Sequence, residues 1–476
     1  MSYKQVLSNH SPTRGLGLGF FKPAPAWIAI LMLVLFTAVC ILVGAGSFLN
    51  IAFPAGALVV GAFLYFRYPI LYIGFTWWIW FLTAFIRRLS DYRSSYTEPS
   101  TLLLAPYLVT ALTLVTVFQH LPKARREGGL SFILPLVGIF YGFLIGLINN
   151  PPYEATRGFL DWLTPLTFGF HLLVNWRNFP SYYQNIQRTF GWGILVMGIY
   201  GIVQYLLAPE WDSLWLINSG MTTSGGTPFP FGIRVFSTMS SAEPFAAFTA
   251  AGLLLLFNKP GLLNIFASGA GYLALLLSLV RSAWIGCLAG LLTLVSSLNA
   301  KNQMRLVVTI SITGLIIIPL TTLEPFSKTI NNRVETLSNV QEDGSYKDRT
   351  NFISIAGDYA FTNLLGDGIN GKVYDSALLG SFLNLGWLGT ICYVSGMLSL
   401  ILKLFQDSQG SSNFFTGTAR AIVISCLIRI PVNGSSILGV GGLLLWGFLA
   451  LHVASQKYYL YQCTMILDQS LPQNSP

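Results

Sequence analysis

The stretch "LLLSLVRSAWIGCLAGLL", residues 275–292, places Arg281 in the middle of an otherwise apolar run. A cation at the centre of a bilayer costs between about 3 and 17 kcal/mol, depending on the scale that is used. The surrounding apolar run, 262–299, is also too long for one membrane-spanning helix of about 20 residues. We therefore expect two helices that meet near Arg281, with the arginine at a membrane surface where water or lipid head groups reach its charge.

The composition predicts an all-α polytopic membrane protein. Hydrophobic residues make up 53% of the 476 residues and charged residues only 9%, whereas an ordinary soluble domain carries roughly 25% charged residues. The net charge of +9 is most simply explained by basic loops against anionic membrane lipids, and nothing indicates nucleic-acid binding. The predicted transmembrane domain, 26–454, contains about 12–14 spanning helices. The candidate spans are 26–46, 48–66, 69–86, 101–119, 131–148, 158–176, 190–208, 241–258, 261–279, 283–299, 306–323, 385–404, 415–431 and 437–454.

The basic loop "LPKARREGG", residues 121–129, sets the predicted orientation, because cytoplasmic loops carry an excess of lysine and arginine. Counting spans outward from it places both tails, 1–25 and 455–476, in the cytoplasm. The two long outer segments are then 209–240 and 324–384. The second is longer than most connections, so we expect a mostly helical outer lobe with a functional role.

Several cations map to the outer face, where the positive-inside rule predicts few. Arginine offers a planar fork that matches phosphate oxygens and keeps its charge, so the group predicts a lipid phosphate or diphosphate ligand. For any single arginine the alternatives are snorkelling to the head groups or pairing with a nearby carboxylate. The outward cations are Arg234, Arg281, Arg333, Lys347, Arg349 and Arg429, and the nearby carboxylates are Glu243, Glu335, Asp343 and Asp348.

Other sequence features point to packing or to ligand contacts rather than to metal chemistry. The four histidines have no metal-ligand spacing, so we predict neither a metal site nor a cofactor. The glycines of "GCLAG", residues 286–290, suit close helix packing. Trp211 and Trp215, in the outer segment, are candidates to stack on the apolar face of a sugar or to pack in the interior.

Three stretches together resemble the superfamily of O-antigen ligases and bacterial polysaccharide polymerases. Residues 275–292 resemble a family stretch of the form SRGAWLGLLAGLL, with Arg281 on its arginine, and "IRVFSTMSSAEPFAAFTAAGLLLL" (233–256) resembles the upstream stretch that contains Arg234. "NRVETLSNVQEDGSYKDRTNFISIAGDYAFTNLLGDGING" (332–371) is similar to the long outer loop of the family. The resemblance covers roughly 190–404, while the first half agrees only in being a set of membrane helices.

The resemblance implies a membrane-embedded fold like that of C-type glycosyltransferases and a metal-independent glycosyl transfer. The donor would be an oligosaccharide linked to a polyprenyl diphosphate such as undecaprenyl diphosphate, and the acceptor a growing glycan or a lipid-linked glycan. Polymerisation or ligation would take place on the outer face of the bacterial inner (cytoplasmic) membrane, facing the periplasm or exterior. Membrane lipids are expected partners, and a chain-length regulator protein is a candidate partner.

The resemblance also implies roles for particular residues. Arg234, Arg281, Arg333 and Arg349 would bind the diphosphate, with Arg281 also acting in catalysis. Ligases of the family usually carry histidine before the next helix, but here "YDSALLGSFLNLGWLG" (374–389) has Asp375 in its place, which favours a polymerase. Asp375 is a candidate general base, although an aspartate before an apolar run also fits an ordinary helix cap. The alternative base is Glu243.

A second class of function stays open: a transporter or flippase of an anionic, lipid-linked substrate. Transporters tend to place charged sites at the bilayer midplane between internal repeats. In this sequence no repeat is evident, and the unusual charges map to one face. The sequence therefore favours the glycosyltransferase hypothesis.

Overall fold

The computed structural model describes residues 23–124, 129–257, 261–297, 356–406 and 414–470, together with a few positions between 303 and 354. Helices dominate these residues, and no β-strand is found among them. The helices are α1 (Ala24–Val43), α2 (Gly46–Arg67), α3 (Pro69–Arg93), α4 (Ala105–Ala111), α5 (Leu114–Ala124), α6 (Leu130–Asn149), α7 (Pro152–Val174), α8 (Phe179–Leu207), α9 (Glu210–Asn218), α10 (Thr222–Gly225), α11 (Ala242–Leu256), α12 (Leu262–Leu277), α13 (Arg281–Ser296), α14 (Ala377–Phe405), α15 (Phe414–Arg429) and α16 (Gly439–Ser470).

The architecture is that of a multi-pass membrane protein. In the part of the chain that the structure describes, nine helical segments are long and apolar enough to cross a membrane, and the three shorter helices α11, α12 and α13 are also apolar. Each predicted span falls on helical residues except 306–323, most of which lies outside the described residues, and the span 101–119 is divided into a short 3-10 helix, α4 and the start of α5. The prediction of an all-α polytopic membrane protein is therefore confirmed for the described residues.

Several helices extend beyond their predicted spans, and α14 and α16 show two physical reasons for this. α14 begins at Ala377 rather than at 385 and bends at Gly386, whose φ of 61° breaks the regular backbone. The predicted start therefore marks the bend instead of the first residue of the helix. α16 passes the predicted end at 454 and continues to Ser470, because a helix need not stop where the apolar run stops, and no proline follows until Pro472.

The break that Arg281 predicts is present. α12 ends at Leu277 and α13 begins with Arg281 as its first residue. The three intervening residues include Leu279, which has a φ of 56°, a left-handed conformation that is uncommon for a residue with a side chain. The long apolar run is therefore two helices joined by a tight connection.

Glycines allow two pairs of helices to approach closely. A Cβ on Gly286 of α13 would lie 2.8 Å from the carbonyl oxygen of Ser425 in α15, so the predicted packing role of the "GCLAG" glycines is confirmed. The second pair has no predicted counterpart: a Cβ on Gly138 of α6 would lie 2.4 Å from the carbonyl oxygen of Gly389 in α14, and one on Gly142 would lie 2.9 Å from that of Asn384. Such spacing leaves no room for larger side chains.

The loops separate into two groups that meet at opposite ends of the helices. At one end, the α12–α13 connection, 278–280, contacts the segment before α11. We call this the Arg281 end. At the other end the start of α8 packs against α15 and α16, with the ring of Phe179 next to those of Phe415 and Tyr458. This grouping matches the two faces of the predicted topology, while the side of the membrane that each end faces stays a prediction.

Candidate functional site

The Arg234 side chain reaches the α12–α13 connection, which is followed directly by Arg281. The Arg234 side chain places Nε 3.4 Å from the carbonyl oxygen of Ser278 and Nη2 3.4 Å from that of Leu279. A shorter hydrogen bond, 2.9 Å, joins Nη1 to the carbonyl oxygen of Ser224. Arg281 follows two residues after Leu279, and both arginines are half-buried. Two predicted diphosphate-binding residues from separate segments are thus neighbours, and the 3.4 Å contacts are long enough to be weak.

Glu243 lies beside a buried arginine at the same end. It belongs to the first turn of α11, and its main-chain carbonyl oxygen lies 3.5 Å from Nη2 of Arg429. Arg429 ends α15 and is only 2% exposed. Its aliphatic chain also reaches α13, since a Cβ on Gly286 would lie 3.6 Å from Cδ of Arg429. The starts of α11 and α13 therefore meet around this one guanidinium-bearing side chain.

Asp375 is exposed and lies just before α14 at the Arg281 end. Ser376, not Asp375, caps the helix: its backbone is extended and its side chain accepts a hydrogen bond of 3.4 Å from the Leu379 N–H. The interpretation of Asp375 as the cap is wrong because the serine one position later occupies the capping site. The preceding residue, Tyr374, packs against the turn that follows α15, where a Cβ on Gly434 would lie 1.7 Å from its carbonyl oxygen.

Arg333 and Arg349 lie outside the described residues, so their contribution to the site stays a prediction. The same holds for most of the outer lobe predicted over 324–384.

A buried ion pair that the sequence analysis did not identify holds the chain between Arg234 and Glu243. Arg88 of α3, 1% exposed, places Nε 3.0 Å from Oδ1 of Asp212, which is fully buried. The same guanidinium donates a hydrogen bond of 2.9 Å to the carbonyl oxygen of Met239, and another to that of Ser237. These bonds attach the segment before α11 to α3.

Further polar contacts hold the same segment from the side of α8. Oε1 of Gln204 accepts hydrogen bonds from the main-chain N–H groups of Phe236, at 3.0 Å, and Ser237, at 2.8 Å. Nε2 of Gln204 donates to Oδ2 of Asp212 at 2.8 Å. Ser237 has a φ of 51°, so these contacts maintain a backbone conformation that a serine seldom adopts. Arg88, Asp212 and Gln204, which we call the clamp, therefore hold the chain between the candidate site residues Arg234 and Glu243.

One sequence signal could have located this clamp. Arg87 and Arg88 stand together at the outer end of the predicted span 69–86, where the positive-inside rule predicts few cations. The partner Asp212 could not have been identified, because it lies far away in the sequence and meets α3 only in the fold.

The two tryptophans of the outer segment differ in their surroundings. Trp215 is 8% exposed and its ring centroid lies 5.4 Å from that of Phe236, so it belongs to the interior and offers no free face to a sugar. Trp211 is half-buried and donates a hydrogen bond of 2.6 Å to the hydroxyl of Tyr200.

A cavity of about 170 Å³ opens at the Arg281 end, between α3, α4, α7 and the start of α11. Three aromatic side chains line it, together with one carboxylate and one guanidinium. These residues are Trp80, Tyr107, Tyr153, Glu98 and Arg157. Ser240 and Pro244, on either side of Glu243 in sequence, form part of its wall.

Glu98 is held in its charged form at the rim of this cavity. Its Oε2 accepts hydrogen bonds from Nη2 of Arg87, at 2.6 Å, and from the hydroxyl of Tyr96, at 2.9 Å. Burial alone would raise the pKa of Glu98, but the hydrogen bonds from Arg87 and Tyr96 outweigh it, and the pKa is lowered from its ordinary value. Glu98 therefore supplies a fixed negative charge.

No protein-family model matches the chain, and no curated protein matches it at a significant level. Within the described residues, no group of three or more His, Cys, Asp or Glu side chains is arranged to hold a metal ion. The groups at the Arg281 end are instead arginines, isolated carboxylates and aromatic rings. Such a set is suited to binding phosphate and sugar and to moving a proton.

Proposed function

We propose that this protein is a polysaccharide polymerase or ligase that transfers a glycan from a polyprenyl diphosphate to an acceptor hydroxyl at the Arg281 end. The observation that supports the proposal is the contact of the Arg234 side chain with the α12–α13 connection, which Arg281 follows directly in the chain. Two guanidinium groups at the end of an apolar helix pair suit a ligand that is anionic at its head and apolar in its tail. A polyprenyl diphosphate has this chemistry.

The proposed reaction needs no nucleotide sugar. An oxygen of the acceptor hydroxyl attacks the anomeric carbon of the donor, and the bond from that carbon to the diphosphate oxygen breaks. Negative charge grows on the leaving polyprenyl diphosphate, and preformed arginines aimed at it stabilise the transition state more than the ground state. Arg234 and Arg281 take this role, with Arg333 and Arg349 proposed to join them.

A carboxylate accepts the proton that the acceptor hydroxyl loses. Glu243 and Asp375 are the two candidates, and such a base typically contributes a factor of about 10²–10⁴ in rate. Glu243 is half-buried next to Arg429, whereas Asp375 is exposed at the start of α14. Both belong to the Arg281 end, so either could serve an acceptor bound there.

The active site is proposed to face the outside of the bacterial inner membrane. In that orientation the donor arrives already translocated, and the product forms where the polysaccharide is needed. The orientation is supported by the basic loop 121–129, which the positive-inside rule assigns to the cytoplasm and the count of spans to the opposite face.

The test uses the purified full chain in liposomes with a polyprenyl-diphosphate-linked oligosaccharide repeat unit. We expect a ladder of longer glycans and release of the polyprenyl diphosphate, with turnover unaffected by a divalent-metal chelator. Arg281→Lys keeps the charge but loses the planar fork, so turnover should fall by about 10²–10³. Arg93→Lys is the matched control, since Arg93 is exposed at the same end but away from the α12–α13 connection.

Two results would contradict the proposal. One is movement of the lipid-linked substrate across the liposome membrane without formation of any glycosidic bond, which would indicate a transporter or flippase. The other is full turnover by Arg281→Lys. Turnover that a chelator abolishes and one particular cation restores would reject the metal-independent mechanism.

A further inference from the structure

We infer that the cavity lined by Trp80, Tyr107, Tyr153, Glu98 and Arg157 binds one sugar residue of the acceptor glycan. The assignment of the sugar to the acceptor rests on the proposed function, whereas the binding of a sugar is argued from the cavity alone. The cavity contains residues from the first half of the chain, to which the sequence analysis assigned no functional role.

The floor of the cavity is an aromatic surface held in place by hydrogen bonds. Nε1 of Trp80 donates to Oγ1 of Thr110 at 2.9 Å, and the hydroxyl of Tyr107 donates to Oδ1 of Asp161. The two rings pack edge to face, with centroids 4.9 Å apart. Trp80, 8% exposed, fixes the Tyr107 ring by this contact, while the half-buried Tyr107 and the exposed Tyr153 are the rings that can offer a face to the C–H side of a sugar.

The rim has unused hydrogen-bonding capacity of both kinds. Oε2 of Glu98 accepts the bonds from Arg87 and Tyr96, while Oε1 accepts none from the part of the chain that the structure describes. The Arg157 guanidinium is exposed and makes no hydrogen bond or ion pair with those residues. A carboxylate oxygen and a guanidinium bind hydroxyl groups as acceptor and donor, which is the pairing that a sugar needs.

The charge and the volume favour a sugar over a phospholipid head group. The ionised Glu98 leaves Oε1 as an acceptor that a sugar hydroxyl can satisfy by donating a hydrogen bond, whereas an ionised phosphate has no hydrogen to donate. A cavity of about 170 Å³ is small beside the roughly 300–1,000 Å³ of pockets for drug-sized ligands. It therefore suits one monosaccharide unit, with the rest of the glycan outside.

The position of the cavity assigns the sugar to the acceptor. Ser240 and Pro244 line the cavity and flank Glu243, one of the two proposed bases. A sugar in the cavity therefore presents its hydroxyl groups next to the start of α11. The diphosphate-binding arginines lie at the α12–α13 connection, so donor and acceptor would meet between these two places.

The first experiment measures sugar binding without any turnover. The full chain in phosphatidylcholine nanodiscs is titrated with a panel of neutral and acidic oligosaccharides that includes partial hydrolysates of the surface polysaccharide of the host cell. We expect at least one oligosaccharide to bind, with affinity reduced five-fold or more in Arg157→Gln and in Tyr153→Ala. Arg93→Gln is the matched control and should bind as the wild type does, since Arg93 does not line the cavity.

Three results would overturn the inference: no oligosaccharide binds the wild type, both cavity variants bind as tightly as the wild type, or only glycerol 3-phosphate binds and Arg157→Gln weakens it. The last would assign the cavity to a lipid head group.

The second experiment measures kinetics with the acceptor varied and separates the two proposals. The cavity variants should raise the KM for the acceptor by five-fold or more and change kcat much less. A wild type that binds sugar but transfers none would reject the proposed function and leave the sugar site standing. A wild type that transfers glycan while neither cavity variant alters the KM for the acceptor would reject the acceptor site alone.

Discussion

Arg281 begins a helix because its charge is tolerated at the end of a span and not in the middle. That cost, together with the length of the apolar run, made the break near Arg281 predictable from the sequence. The contact of Arg234 with the connection before Arg281 was not predictable in the same way. Arg234 reaches the carbonyl oxygens of Ser278 and Leu279 in a connection where Leu279 adopts a left-handed conformation that no residue type there demands.

Substitution of single carboxylates distinguishes the two candidate bases, Asp375 and Glu243. Asp375→Asn removes a base but leaves the helix cap in place, because Ser376 is the cap. If Asp375 is the base, turnover should fall by two or more orders of magnitude with unchanged thermal stability. If Glu243 is the base, Glu243→Gln should show that loss instead. Both rates are measured in the same liposome assay.

The control for this pair is Ser376→Ala. It should lower the free energy of unfolding by about 1 kcal/mol, the usual contribution of a cap, while it leaves Asp375 in place. Near wild-type turnover by both Asp375→Asn and Glu243→Gln would reject a carboxylate base at either position.

At the scale of elements, the segment before α11 depends on α3 and α8 for its conformation. Arg88 and Asp212 are both buried, and a buried charge that loses its partner is costly. The sequence could predict each helix here, because apolar runs of sufficient length are read directly. Of the clamp, only Arg88 leaves a sequence signal, as an unexpected cation at the outer end of a span, whereas its partner Asp212 leaves no period or motif.

We expect Arg88→Met to lower the free energy of unfolding by about 3–5 kcal/mol, because Asp212 and two carbonyl oxygens lose their partner. Denaturant titration in detergent measures the change. Arg93→Met is the matched control from the same helix, since Arg93 is exposed at the end of α3 and its loss leaves no buried charge without a partner. An equal free energy of unfolding in the two variants would show that the buried pair of Arg88 and Asp212 adds no stability beyond that of an exposed arginine.

The close contact of α6 with α14 depends on the absence of a side chain at Gly142. A Cβ on Gly142 would lie 2.6 Å from a methyl carbon of Leu385 and 2.9 Å from the carbonyl oxygen of Asn384. Gly142→Ala should therefore destabilise the protein by about 1–3 kcal/mol, as overpacking does. Gly269→Ala is the control, because nothing lies within 4 Å of a Cβ there. It should be neutral or stabilise α12 by up to about 1 kcal/mol, and a loss as large as that of Gly142→Ala would contradict the packing argument.

For the whole molecule, the fold follows from the sequence more directly than the site does. Apolar runs and the basic loop 121–129 were sufficient to predict helices and a two-ended arrangement of loops. The cavity around Tyr153 and Arg157 could not be predicted, because these residues look like ordinary loop and helix residues until α7 packs beside α3 and α4. The bend of α14 at Gly386 was also hidden, since a glycine within an apolar run usually indicates packing.

The sidedness of the molecule is testable with reporters fused to the full chain. A reporter after Gly129 and another within 338–346 should lie on opposite sides of the membrane, because the first follows the basic loop and the second belongs to the predicted outer segment. A third reporter after Ser470 should lie on the same side as the first. If the first two report the same side, the predicted topology and the outward position of the arginines are both wrong.

If Arg234 and Arg281 hold one diphosphate, their effects on its binding are coupled, and a double-mutant cycle measures that coupling. The affinity of the nanodisc-embedded protein for a polyprenyl diphosphate is measured for Arg234→Lys, Arg281→Lys and the double variant. We predict that each single variant loses affinity ten-fold or more and that the double variant loses much less than the product of the two. Residues that share a ligand typically couple by about 0.5–3 kcal/mol, whereas independent sites give additive losses. Unchanged affinity in the single variants, or losses that multiply fully in the double variant, would show that the two arginines do not bind the same diphosphate.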